Sequence, residues 1–220
     1  MNMSIIHSAP RLLKPISSHL VWDIEPNGND IFLTFDDGPH PQITPWVLKE
    51  LEKHKAKATF FLVGENAAKY PEVVKMIIDA GHHIGNHTYN HVQGWSTSAY
   101  KYYRNTLKCE EEFTTPLFRP PHGRITRSQH IRLSKRFKII MWSVLSGDYD
   151  RLLTPNRIIN GVVENTVPGS VIVFHDSVKA EKNLKAALPE VLNQLSNKGF
   201  ISKVIPYEIQ NSLKVRGEGS

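Results

Sequence analysis

The sequence predicts an α/β fold, a closed or nearly closed barrel of parallel strands with helices outside. Two observations carry this. Short apolar runs of strand length alternate with helix-patterned segments along most of the chain, and several of those runs stop abruptly at polar clusters. The first run, "DIFLTF" (30–35), ends at Asp36-Asp37-Gly38-Pro39. A helix is expected over Thr44–His54, where Trp46, Val47, Leu48 and Leu51 are apolar. "ATFFLVG" (58–64) reads as a second strand closed by glycine. "PEVVKMIIDAG" (71–81) reads as a helix with proline in its first turn and glycine after its last. A short strand follows at His83–Gly85, then a helix over Ser98–Phe113, a strand at Leu117–Phe118 and a helix over Thr126–Lys135. The series closes with a strand at Lys138–Trp142, a helix opened by Thr154-Pro155, a strand at Ser170–Phe174, a helix over Asn183–Lys198 ended by Gly199, and a strand at Ile201–Val204.

With 220 residues, 40% hydrophobic and 22% charged, the chain fits one globular domain with a sizeable core. Cys109 is the single cysteine, which excludes an intrachain disulfide and a thiolate-rich zinc site. Any metal must therefore be held by His, Asp or Glu. The formal charge of +6 suits an anionic partner, yet a mildly basic soluble protein explains it as well. No basic run or basic-aromatic alternation supports nucleic-acid binding. The N-terminus, "MNMSIIHSAPRLLKPISSHLVW", lacks the features of a secretory signal, and no segment is long enough to span a bilayer. A soluble, cytoplasmic monomer is expected, extracytoplasmic only if exported by another route.

In barrels of this kind the chemistry sits at the C-terminal ends of the strands. The clusters "DDGP" (36–39), "NHTYNH" (86–91), "RPPHG" (119–123), "SGDYD" (146–150) and "HDS" (175–177) are all expected there. Scattered surface polarity would not do this, so the clusters are expected to converge. His87 and His91, four apart, would lie on one face of a helical turn and could bind one divalent ion. Taken alone, the pair is more often explained as two partly exposed, hydrogen-bonded histidines, and "DDGP" is equally explained as a tight turn. Neighbouring strand residues point opposite ways, so Asp36 and Asp37 are expected to do different jobs: one ligates while the other faces substrate. Two His and one Asp form a facial set with open positions, the arrangement of a catalytic ion. Such an ion acidifies water and polarises a carbonyl, which is the kit for metal-assisted hydrolysis. Arg119, Asp148 and His175 taken singly read as a salt-bridge residue, a loop cap and a strand-end histidine. His82 and His83 are read as structural.

"TFDDGP", "HTYNH", "RPPHG", "GDYD" and "VIVFHD", in this order over residues 31–205, resemble the five motifs of the polysaccharide deacetylase family, carbohydrate esterase family four. The resemblance implies a distorted (β/α) barrel of about seven parallel strands. It implies an activity that removes acetyl groups from glycans. By motif, Asp37, His87 and His91 would hold the metal, and Asp36 would be the general base. His175 would be the general acid, with Arg119 paired to Asp36 and Asp148 to His175. Zinc is the default ion, although cobalt, nickel or manganese suits the same ligands. Three positions depart from the family's usual pattern: His122 where an aromatic is common, and Leu145 and Tyr149 around Asp148. Pro121, His122, Tyr149 and Val173 are expected to contact substrate, with the acetyl-methyl pocket reshaped.

The expected organisation is an N-terminal extension packed on the barrel (1–29), the catalytic domain (30–207) and a C-terminal tail (208–220). The expected activity is removal of N-acetyl groups from an acetamido-sugar glycan, peptidoglycan-like or chitin-like, giving acetate and a free amine. A glycan-binding relative without turnover and an O-acetyl esterase are the alternatives.

Overall fold

The computed structural model describes residues 20–208. The expected extension before Leu20 and tail beyond Glu208 lie outside the described residues. Nine strands form one sheet: β1 (Leu20–Val21), β2 (Asp30–Asp36), β3 (Ala58–Leu62), β4 (His83–Asn86), β5 (Leu117–Phe118), β6 (Lys138–Ile140), β7 (Val144–Leu145), β8 (Val171–His175) and β9 (Ile201–Ser202). The order is β1-β6-β5-β4-β3-β2-β8-β7, with β9 added against the start of β2, and the strand pairs are parallel. Seven helices connect them: α1 (Ile43–Lys53), α2 (Gly64–Lys69), α3 (Pro71–Asp79), α4 (Ala99–Lys108), α5 (Arg127–Leu133), α6 (Pro155–Asn165) and α7 (Glu181–Asn197). No helix among the described residues is long and apolar enough to cross a membrane.

Local sequence chemistry sets several of these boundaries. Pro71 and Pro155 occupy first-turn positions, where a missing N–H costs no helical bond. Thr126 and Gln129 form a reciprocal capping box at the start of α5. Alternation along β2 sorts its side chains into two layers. Ile31, Leu33 and Phe35 pack with Val47, Leu51, Leu188 and Leu192 of the covering helices. Phe32 joins Phe61, Leu117, Ile140 and Val171 in a smaller cluster. Thr34 and Asp36, on the same side of β2 as Phe32, hydrogen-bond the buried Arg119.

The barrel is drawn together by a single stretch. At its start, β6 pairs with β5 (Phe118 opposite Ile139); four residues on, β7 pairs with β8 (Leu145 opposite Val173). Between them Ser143 N–H donates to Val171 O at 3.0 Å. The base of this seam is filled by β1, paired to β6, and by Asp23 and Ile24, which bond to Ser170 and Gly169. The two-residue strands β1 and β7 and the six-residue helix α2 were not expected from the sequence. Gly64, read there as closing a strand, opens α2 after Val63.

Candidate active site

The five polar clusters meet at the C-terminal ends of the strands. Asp36, last residue of β2, stands in register with His175, last residue of β8. Beyond it the chain turns sharply, with Asp37 in the left-handed region at φ 76°. The turn is held by Asn66 Nδ2, which donates to Asp37 O at 2.9 Å, and by Val63 N–H, which donates to Gly38 O at 2.9 Å. Gly38 has to be glycine here, because a Cβ would overlap the Asp176 carboxylate.

His87 and His91 do not sit on a helical turn, contrary to the expectation from their spacing. Thr88 and His91 are left-handed, at φ 64° and 52°, so the segment is a compact loop. Side chains supply the bonds a helix would have made. Asn86 Oδ1 accepts from Thr88 N–H (2.8 Å), Thr88 Oγ1 accepts from Val92 N–H (3.1 Å), and Asn105 Oδ1 accepts from Tyr89 and Asn90 (2.9 and 3.2 Å). The loop still brings the rings within 5.1 Å of each other. Every left-handed non-glycine residue among those described, Lys55 excepted, belongs to the site: Asp37, Thr88, His91 and His122. Such conformations cost about 1–3 kcal/mol each and persist where surrounding contacts over-determine them.

The donor atoms fit a divalent cation. One ligand atom each from Asp37, His87 and His91 lies within 4.8 Å of the others, and His91 Nε2 is 3.1 Å from Asp37 Oδ1. His87 Nδ1–H donates to Arg119 O at 2.9 Å, which fixes the tautomer and leaves the Nε2 lone pair for a metal. Burial pushes the His87 pKa down to about 4, so the ring is a neutral ligand. For Asp37 burial acts upward, but the hydrogen bond from His91 and the charge of His175 hold it well below the usual carboxylate range. Two imidazoles and one carboxylate suit zinc or a similar ion and leave coordination positions open.

An acid and a base candidate flank this set. Arg119 is fully buried and donates to Asp36 Oδ1 and Thr34 Oγ1 from Nη1 (both 2.7 Å), to Met141 O from Nη2 (2.9 Å) and to Ile140 O from Nε (3.2 Å). Its guanidinium lies 4.1 Å from the Phe61 ring. Across the site, His175 Nδ1–H donates to Asp148 Oδ1 at 2.7 Å, and the other Asp148 oxygen accepts the His175 backbone N–H at 2.8 Å. Burial alone would lower the His175 pKa. The Asp148 charge and hydrogen bond outweigh it, helped by Asp37 and Asp36, and raise it to about 9. The ring is therefore protonated at neutral pH, with Nε2–H left to donate.

Asp36, Asp37, His87, His91, His122, Tyr149, Val173 and His175 line one cleft of about 320 Å³. Arg119 and Asp148 are buried and hold cleft residues from behind. Pro121 is buried at the start of a 3₁₀ turn, Pro121–Gly123, and does not line the cleft. His122, at φ 57°, meets His91 edge-on at 4.9 Å, and Tyr149 meets His175 edge-on at 5.1 Å. His82 and His83 are elsewhere: His82 Nδ1 accepts from Ala58 N–H, and His83 stacks on Tyr207. Trp142, Arg124 and Lys179, which are not among the expected site residues, also line the cleft, as does Leu145, expected only as a departure from the family pattern beside Asp148. Trp142 had a usable signal, since it closes an expected strand on the functional rim.

Fold and site together define a parallel barrel with a candidate divalent-cation centre between a buried carboxylate and a protonated histidine. The chain belongs to the polysaccharide deacetylase family, whose model matches residues 23–138. It is 37% identical over 194 residues to a peptidoglycan-N-acetylglucosamine deacetylase of Bacillus cereus, covering 84% of this chain and 70% of that one. The crystal structure of a peptidoglycan N-acetylglucosamine deacetylase in complex with 4-naphthalen-1-yl-N-oxidanyl-benzamide superposes with a TM-score of 0.80 at 36% identity, over 86% of this chain and 91% of the other. A pseudoenzyme of the same esterase family from Bacillus anthracis superposes at 0.74 and 25% identity, over 86% of this chain and 68% of the other.

Proposed function

We propose that the protein is a metal-dependent deacetylase that hydrolyses the N-acetyl group of an acetamido sugar in a peptidoglycan-like or chitin-like glycan. The observation that carries this reading is the intact pair Asp36 and His175, in register at the ends of neighbouring strands and each held by its own buried partner. A site kept only for binding has no need of either partner. A cation held by Asp37, His87 and His91, zinc by default, would supply a Lewis acid toward the acetyl carbonyl and a lowered pKa for water beside it.

The chain's own residues account for the proton movements. Asp36, ion-paired with Arg119, takes a proton from the attacking water as its oxygen bonds to the acetyl carbon. His175 Nε2–H gives its proton to the sugar nitrogen as the C–N bond breaks, so the amine leaves neutral and acetate remains. Asp148 stabilises the imidazolium beforehand and fixes which nitrogen faces the cleft. Trp142, Leu145 and Val173 form an apolar wall suited to the acetyl methyl. The resemblance to peptidoglycan-N-acetylglucosamine deacetylases supports an N-acetylglucosamine ring as the reacting unit.

Acetate release from N-acetylglucosamine oligomers and from peptidoglycan fragments tests the reading. It should disappear in excess chelator and return with zinc, cobalt, nickel or manganese. Absence of release from every glycan while zinc and oligosaccharide both bind would make the protein a non-catalytic glycan binder. Full release in excess chelator would overturn the metal reading.

A further inference from the structure

We infer that the cleft selects an anionic glycan: Arg124 and Lys179 hold a carboxylate carried by a sugar ring next to the one deacetylated. The inference rests on the deacetylase reading for the position of the scissile ring. The two cations reach the cleft from separate places. Arg124 follows the 3₁₀ turn after β5, and Lys179 lies in the loop after β8, with β4, β3 and β2 between those strands in the sheet. Both nevertheless line the same cleft.

What separates these two from the other charges in the cleft is their lack of a partner. Asp36 is paired with Arg119, Asp37 with His91, and Asp148 with His175. Neither Arg124 nor Lys179 forms an ion pair with a carboxylate among the described residues. Each is instead laid on an aromatic ring: Arg124 is 5.0 Å from the centroid of Trp95, and Lys179 is 5.1 Å from that of Tyr149. A cation resting on a π face is restrained while its N–H groups stay available, so little freedom is lost when an anion arrives. The Trp95 support is itself fixed. A Cβ on Gly94 would overlap the Arg124 carbonyl, so the two loops are in backbone contact.

A neutral oligosaccharide entering this cleft would strip water from two cations without an ion pair and return only neutral hydroxyl and amide acceptors. A carboxylate would replace that water with charge-assisted hydrogen bonds, for which the guanidinium fork is well shaped. Trp95, 67% exposed beside Arg124, offers a flat apolar face against which the C–H face of the acidic ring can lie.

The test uses three tetrasaccharides of one length: the N-acetylglucosamine tetramer, an alternating N-acetylglucosamine and N-acetylmuramic acid tetramer, and the methyl ester of that acid. kcat/KM is read from acetate release by the zinc-loaded protein, and Kd by calorimetry on zinc-loaded Asp36→Asn protein, which separates binding from turnover. The free acid should be preferred to its ester by about tenfold or more, the scale of one or two charge-assisted contacts. The preference should shrink in Arg124→Gln and in Lys179→Gln, vanish in the double variant, survive in part in Arg124→Lys, and weaken as salt is raised. Equal binding and turnover of acid and ester by the unmodified protein would overturn the inference, as would a preference that survives in the double variant. Tight, charge-dependent binding of the acid with no acetate released from any substrate would uphold the anion site and overturn the deacetylase reading. Equal release from all three would do the reverse.

Discussion

Replacing Asp148 with asparagine removes a charge from behind His175 while keeping the side-chain shape. The displacement of the His175 pKa from 6.5 to about 9 corresponds to about 3 kcal/mol of preference for the protonated ring. Burial opposes it, so the surrounding carboxylates supply more than that net figure. Asp148 is the nearest, at 2.7 Å, and a cation on Asp37 would remove much of that residue's share. In Asp148→Asn the alkaline limb of kcat/KM should move down by roughly two pH units, lowering activity at pH 8 by about tenfold. Stability gives a second readout of the same coupling. A histidine whose folded pKa is raised stabilises the fold fully below its unfolded value of 6.5 and loses that contribution as pH rises through about 9. Thermal stability of the unmodified protein should therefore carry a decline over this window that the variant lacks. Acetate release from pH 5 to 10, with melting curves over the same range, measures both. An alkaline limb that stays in place, together with an unchanged pH slope of stability, would refute the coupling; the limb itself belongs to the interacting groups jointly.

Three further outcomes follow from the buried groups. Arg119→Met leaves Asp36 buried without its cation and should destabilise the protein by about 3–5 kcal/mol in urea unfolding, with part regained in the double variant Arg119→Met/Asp36→Asn. Asp36→Asn should retain zinc and lose about 10²–10⁴ in turnover, whereas Asp37→Asn should weaken zinc binding and recover partly with excess metal; zinc titration with acetate readout distinguishes them. Asp176 is buried, accepts a hydrogen bond from Thr44, has an unpartnered Oδ1, and its pKa is raised to about 7, by burial first. A carboxyl that holds its proton in the fold loses that advantage as pH rises through its folded value, so metal-free Asp176→Asn should melt higher than the unmodified protein at pH 8. A lower melting temperature would oppose this.

The long strands and the helices other than α2 were legible because periodicity and capping are local signals. β2 and α3 could be read almost residue by residue, since "DIFLTF" and "PEVVKMIIDAG" each carry a pattern and a stop. β1 and β7, two residues each, show no period of their own, and unlike the equally short β5 they do not stand between two helix-patterned segments that would mark them out. The convergence of five clusters followed from the barrel rule, but the means of convergence did not. A spacing of four between histidines suggested a helix, and the same spacing is met by a loop whose left-handed residues are held by Asn86 and Asn105 from outside it. Arg124 and Lys179 belong to no pattern: one follows a turn, the other a loop, and only the curvature of the sheet brings them to one cleft.

The seam between β6 and β7 bears on which parts of the chain can exist separately. The segment matched by the family model, 23–138, holds the three candidate metal ligands, Asp36 and Arg119, and ends as β6 begins. Two acceptors of the buried guanidinium, the carbonyls of Ile140 and Met141, lie just beyond it. His175 and Asp148 are farther on. A fragment cut at that border would keep the candidate metal ligands and yet enclose a cation with half its hydrogen bonds unmade, beside a sheet that stops at β2 without β8 and β7. The candidate metal ligands alone are therefore less than the unit that can fold, and transplanting the site into another scaffold requires the seam to travel with it.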